Sequence, residues 1–103
     1  MPIVVMLKDE RGSRLGEYVN DSIGVIVNSL PDVDDCTYSC VRFIDPYGNT
    51  VFNPLQAKVM IDEWDRLKES FSEKDAEILW TDVRSLIVHC ANEVHVYLWF
   101  IGD

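Results

Sequence analysis

The stretch Phe43-Ile44-Asp45-Pro46-Tyr47-Gly48-Asn49-Thr50-Val51-Phe52-Asn53-Pro54-Leu55-Gln56 decides how the chain is read. Asp45-Pro46-Tyr47-Gly48 has the composition of a type I turn. Asp bonds back to the main chain, Pro presets φ at the second position, and Gly accepts positive φ at the fourth. Before it, Cys36 to Ile44 alternates as a strand does, with Tyr38, Cys40, Arg42 and Ile44 on one face and Thr37, Ser39, Val41 and Phe43 on the other. Thr50-Val51-Phe52 is then the expected return strand of a hairpin closed by an αL glycine and a bulge. A helix is expected directly afterwards, because Asn53 suits an N-cap, Pro54 the first helical position and Gln56 the third, the pattern of a capping box.

Downstream, Ala57, Met60, Ile61, Trp64, Leu67 and Phe71 form one apolar stripe at helical spacing. A second capping pattern at Ser72, with Asp75 three residues on, introduces another stripe: Ala76, Leu79, Trp80, Val83, Leu86, Ile87 and Cys90. With almost no chain between them, the two helices are expected to form an antiparallel hairpin packed on the sheet. Glu93 to Ile101 is apolar at both parities, which predicts a central strand with cover on each side.

Upstream, Ile3 to Leu7 reads as an opening strand ending in the turn-like Asp9-Glu10-Arg11-Gly12-Ser13. Leu15 to Leu30 fits two periods. Val19, Ile23, Ile26, Val27 and Leu30 follow helical spacing, whereas Ile23, Val25 and Val27 also fit one face of a strand. An N-cap at Asp21 or Ser22 and a stop at Pro31 favour a short helix. The sum is a single α+β domain over residues 1–103, an antiparallel-rich sheet packed against a C-terminal helical hairpin with the last strand central.

A length of 103 residues fits one domain, and 48% apolar with 26% charged residues is the composition of a globular protein. Eighteen acids against nine bases give a net charge of −9. That balance excludes the clustered Lys and Arg of nucleic-acid binding and an electrostatic hold on an anionic membrane. The opening residues lack a basic leader and a run of signal-peptide length, and the longest apolar run, Val94 to Ile101, is too short to span a bilayer. Three cysteines, an odd count without framework spacing, suit reduced thiols. A cytoplasmic location is expected.

The soft ligands Cys36, Cys40, His89, Cys90 and His95 do not have the spacing of a metal site. Four residues apart on a strand, Cys36 and Cys40 would stand roughly 13 Å from each other, too far for one zinc held by ligands about 2 Å away. Neither a nucleophile elbow nor a glycine-rich phosphate loop is present. Cys90 lies on an apolar stripe and reads as a small core residue; His95 reads as a packed strand residue beside Tyr97 and Trp99. No catalytic residue, metal or cofactor is assigned. A small enzyme or ligand-binding domain remains the alternative, with a site assembled in the tertiary fold from His95, Cys40 or His89.

Acids are abundant on the two helices (Asp62, Glu63, Asp65, Glu69, Glu73, Asp75, Glu77 and Asp82), where they read as solvated faces. A second cluster, Asp32, Asp34 and Asp35, precedes the hairpin. Together with Asp45 and the turn residue Tyr47, whose ring is expected to be exposed, these form the candidate protein-binding residues. An acidic surface steers a basic protein toward it.

The segment Asp45-Pro46-Tyr47-Gly48-Asn49-Thr50-x-Phe52-Asn53-x-x-Gln56 resembles a group of small bacterial proteins carrying D-P-Y-G-[DN]-T-x-F-N-x-x-Q ahead of a helix pair. The ending Leu98-Trp99-Phe100-Ile101-Gly102-Asp103 is similar to their close. The resemblance implies the fold and no activity. By analogy of size, charge and architecture, the leading reading is an immunity protein, a cytoplasmic binder that neutralises a basic toxin. A homo-oligomer using the last strand or an exposed sheet edge is a third reading.

Overall fold

The computed structural model describes residues 2–103. The chain forms one four-stranded sheet with strand order β2-β1-β4-β3, every neighbouring pair antiparallel. Strands β1 (Ile3–Asp9) and β2 (Arg14–Asp21) make a hairpin. Its turn is held by Asp9, whose Oδ1 accepts the amide N–H groups of Arg11 and Ser13 at 2.9 Å each, and by Gly12 at φ +85.

Leu15 to Leu30 divides between the two periods. Its first part is β2, because Val19 pairs with Val5 and Leu15 with Leu7, both turned toward the core. Pairing with β1 outweighs local helical spacing there. Only Val25–Ser29 is helical (α1). Asp21, buried at the end of β2, caps it from a distance, its Oδ1 accepting from Val25 N at 3.1 Å and its Oδ2 from Ile26 N at 2.6 Å. The helix stops before Pro31, with Leu30 in extended backbone as a residue preceding proline must be.

The hairpin expected around Asp45–Gly48 does not form. Residues 36–44 are irregular, with a single 3-10 turn at Val41–Phe43, and β3 (Asn49–Phe52) pairs with β4 (Val96–Ile101) instead. The amides of Ser39, Cys40 and Val41, which a strand would spend on a ladder, donate to the Glu63 carboxylate. The strand-based Cys36–Cys40 spacing falls with this correction; Cys36 is exposed and Cys40 buried. Asp45–Gly48 is nevertheless a turn, closed by Gly48 N to Asp45 O at 3.4 Å and by Tyr47 N to Asp45 Oδ1 at 2.8 Å. Gly48 is not among the positive-φ glycines, so the αL bulge is absent.

This turn packs against the end of β4. Gly102 N donates to Gly48 O at 2.7 Å and Asp103 N to Pro46 O at 3.1 Å. A Cβ on Gly102 would stand 2.5 Å from the Pro46 carbonyl, so the close approach requires glycine.

Helix α2 (Pro54–Arg66) starts as its sequence predicts. Asn53 Oδ1 accepts from Gln56 N at 2.8 Å, and Gln56 Oε1 accepts from Asn53 N at 2.9 Å. A 3-10 turn at Lys68–Phe71 leads to α3 (Lys74–Ala91). The second capping box is absent, since α3 is preceded by Glu73 and has no side-chain cap. The two helices are locked by reciprocal bonds. Trp64 Nε1 donates to Trp80 O at 3.0 Å, and Trp80 Nε1 to Trp64 O at 2.9 Å. Each indole therefore buries its bulk while its N–H is satisfied. On the surface Arg84 grips Asp65 through Nε at 2.7 Å and the guanidinium terminus at 3.2 Å.

β4 lies between β1 and β3, and the helices pack on one face of the sheet only. Inward, Leu98 and Phe100 are fully buried, with Phe52 edge-on to Phe100 at 5.9 Å. The opposite parity, expected to be covered as well, is only partly screened at Tyr97, Trp99 and Ile101. His95 precedes β4 with φ +58, exposed and 3.1 Å from Glu10, rather than packed within the strand.

Candidate functional site

The five candidate binding residues fall on two loops. Asp32, Asp34 and Asp35 lie between α1 and the 3-10 turn, whereas Asp45 and Tyr47 lie in the turn before β3. Among the described residues no hydrogen bond or ion pair joins the two groups. Three of the four aspartates shape their own loops. Asp32 Oδ1 accepts from Asp34 N at 3.0 Å, Asp35 Oδ1 takes both Thr37 N at 3.0 Å and Thr37 Oγ1 at 2.6 Å, and Asp45 serves Tyr47 N. The Thr37 hydroxyl, with its amide and the more distant Arg66 and Arg42 charges, holds the Asp35 carboxyl below its ordinary value. Asp35 thus stays charged into the acid range. Tyr47 is 71% exposed, as expected of a turn residue.

The loop carrying Asp32, Asp34 and Asp35 is fastened to α2 and the 3-10 turn. Glu63, on α2 and buried, accepts from Ser39 N at 2.5 Å, Cys40 N at 3.1 Å and Val41 N at 2.9 Å. Hydrogen bonds to a charged acceptor contribute about 1.5–3 kcal/mol each. Arg66, one helical turn on, donates to Thr37 O at 2.6 Å and to Thr37 Oγ1 at 2.9 Å while lying 4.0 Å over the Tyr38 ring. Arg42 reaches back from the 3-10 turn to Val33 O at 3.3 Å and stacks 4.5 Å over Phe43. Its Nε is buried without a hydrogen-bond partner.

Two apolar side chains therefore stand out beside the aspartates. Val33 is 56% and Phe43 52% exposed, and Arg42 spans the gap between them. Their sequence signals are uneven. Phe43 was hidden by its assignment to a strand face, and Val33 by its acidic neighbours. Glu63, counted among the solvated helix acids, carries a usable signal. It lies three residues after Met60 and four before Leu67, on the margin of the apolar stripe.

The groups considered for catalysis do not converge. Cys40 is buried, its thiol directed to Gln56 O at 3.9 Å, and burial, reinforced by the Glu63 charge, raises its pKa. Cys90 is a core residue whose thiol faces Val96 O at 3.5 Å, with burial pushing it up to about 11. Such thiols are poor nucleophiles at neutral pH. His89 is exposed on α3, 3.8 Å from Glu93, and His95 stands with Glu10. A cleft of about 310 Å³ between α1 and the start of α3 is lined by Val25, Asn28, Ser29, Ser70, Ser72, Glu73 and Ala76 and contains none of these groups. Among the described residues no cluster of His, Cys, Asp and Glu could hold a metal ion, and no helix is long and apolar enough to cross a membrane. Compared with family models, curated proteins and solved structures, the chain finds no match.

Proposed function

We propose that this chain is a small acidic interaction protein that binds a basic protein through the loop from Asp32 to Phe43, in the manner of an immunity protein neutralising a basic toxin. The observation that carries the reading is the pair Val33 and Phe43, exposed together beside Asp32, Asp34 and Asp35 on a backbone fixed by Glu63 and Arg66. Apolar anchors within a charged rim are the anatomy of a binding hot spot. A loop already held in one shape spares most of the ordering entropy that a mobile loop would lose on binding. The net charge of −9 adds long-range attraction for a basic surface.

The test is capture from native lysate with three baits: wild type, Phe43→Ala, and the double variant Asp32→Lys/Asp34→Lys. The expected result is a stoichiometric basic protein on the wild type, released by salt, weakened at least tenfold by Phe43→Ala and lost with the charge reversal. Equal recovery on all three baits would overturn the assignment of this surface.

A further inference from the structure

We infer that a second docking face lies on the outer stripe of α3, and that its occupant is a short cationic segment bearing two arginine or lysine side chains. Asp75, Ile78, Leu79 and Asp82 stand at i, i+3, i+4 and i+7 and therefore share one face of the helix. Two clefts open on this stripe. One, of about 260 Å³, runs between Ile23 of the β2–α1 connection and Asp75 and Leu79 of α3. The other, of about 240 Å³, is bounded by Lys74, Glu77, Ile78, Thr81 and Asp82. Ile23 is 61% and Ile78 54% exposed, whereas Ile26 and Ile87 fill the core. Buried Asp21 accepts from the amides of Val25 and Ile26 and so fixes the connection that carries Ile23. The outer wall of the first cleft is thus in place before anything binds.

Chemistry identifies the occupant. Each cleft pairs an apolar wall with carboxylate: Ile23 and Leu79 with Asp75, and Ile78 with Glu77 and Asp82. Arginine and lysine have the matching make-up, an aliphatic stem that covers apolar surface and a cationic head that stays in water beside an acid. Among the described residues Asp75, Glu77 and Asp82 join no ion pair, and neither does Lys74, the one cation beside them. Arg84, two residues past Asp82, is committed to Asp65. Three carboxylates against one lysine therefore leave the stripe negative and free to attract a cation. A second copy of this chain, with its net charge of −9, is repelled from it.

Size separates a side chain from a small molecule. Volumes of about 260 and 240 Å³ fall below the ~300 Å³ at which small-molecule sites begin. Each cleft therefore takes one side chain. Neighbouring sides of a helix about 10 Å across lie roughly 8 Å apart, close to the ~7 Å between alternate side chains of an extended strand. Two cationic residues separated by one other thus reach both clefts from a single segment. Exposed charge pairs contribute little each, so a short peptide binds with Kd on the order of 1 mM, and salt weakens it.

The probe is the peptide acetyl-Gly-Arg-Ser-Arg-Gly-amide, titrated to about 10 mM into the full chain at about 0.05 and 0.5 M NaCl and followed by amide shifts. Its control carries citrulline, neutral and of the same shape, in place of both arginines. The expected result is saturable shifts at Ile23, Asp75, Ile78 and Asp82, weaker at the higher salt and absent with citrulline. They persist in Asp32→Lys/Asp34→Lys, where the acidic loop cannot compete. Asp75→Asn/Asp82→Asn is expected to weaken binding about fivefold or more and Ile78→Ser about threefold. All three positions are exposed, and far-UV circular dichroism checks that each variant is folded. No saturable shift at these amides, equal binding of the citrulline peptide, or unchanged binding by a folded Asp75→Asn/Asp82→Asn would overturn the proposal. Shifts confined to residues 32–43 and lost in Asp32→Lys/Asp34→Lys would assign the peptide to the acidic loop and equally overturn it. Each of these outcomes is independent of whether Phe43→Ala affects capture of a basic protein.

Discussion

Residues 36–44 and 49–56 are neighbours in the chain and are built on different principles. The later segment obeys its own sequence. Asn53 and Gln56 cap each other at 2.8 and 2.9 Å, and Pro54 opens the helix, with every contact inside four residues. The earlier segment takes its shape from a helix more than twenty residues downstream, through three amides that donate to Glu63. In the earlier segment alternation holds only from Tyr38 to Cys40, where Ser39 alone is exposed; Val41, read on the opposite face, is fully buried beside Cys40 because the chain turns into a 3-10 helix there.

Glu63→Ala breaks this comparison most forcefully. It strands three amide donors, at least two of them buried, and the expected loss is about 3–5 kcal/mol, the range for removing the acceptor of a buried charged network. Thermal unfolding should shift down by well over ~10 °C. Hydrogen exchange sharpens the point. In Glu63→Gln the one remaining carbonyl can still accept from Cys40 and Val41, which share Oε1, so the amide of Ser39, bonded to Oε2, should lose the most protection, while Ala57 N, bonded to Asn53 O, keeps its own. Continued protection of all three amides in that variant would mean the loop holds itself.

Asn53→Ala acts on the local segment and should cost about 1 kcal/mol, the worth of an N-cap. The expected denaturant midpoint shift comes without any change at the acidic loop. A change in exchange at Ser39 to Val41 would show that the two segments are not independent.

The smallest effect is at Asp65, where the bidentate hydrogen bond from Arg84, with lesser help from its charge and from Lys68, holds the carboxyl below its ordinary value of 3.8. Because the folded pKa is the lower one, the stabilisation is present above pH ~3.8 and fades as pH falls through the folded value. The pair is solvent-exposed, so Asp65→Asn should cost no more than about 0.5 kcal/mol at pH 7. The gap between the two melting curves should close as the pH falls below the lowered carboxyl value; a gap independent of pH would show that charge is not its source.

What could be read in the sequence follows the same division between local and distant causes. Ile3 to Leu7, the turn at Asp9, the helix start at Asn53 and the apolar stripes are set by residues within a few positions of one another, and the α+β architecture followed from them. The partner of β3 could not be read this way. Phe52 pairs with Leu98 across the length of two helices, whereas the turn at Asp45 pointed to the segment just before it. The candidate surface was legible in its charges and in Tyr47, whose exposure follows from the turn. Phe43 was not, since its outward position depends on the 3-10 turn that Glu63 and Arg42 stabilise. Asp45 makes the main-chain bond that its turn position predicts, to the Tyr47 amide, and the turn it closes meets Gly102.

Glu63 also separates the shape of the loop from its identity. Its three bonds go to main-chain N–H groups, which every residue except proline supplies. Side chains at exposed positions such as Val33, Asp34 and Phe43, none of which accepts a main-chain bond, can then be exchanged without redrawing the backbone that presents them. The helix acts as a fixed mount and the loop as an interchangeable face, so a lineage of such proteins could change its choice of partner by surface substitutions alone. The barred change is proline at positions 39–41.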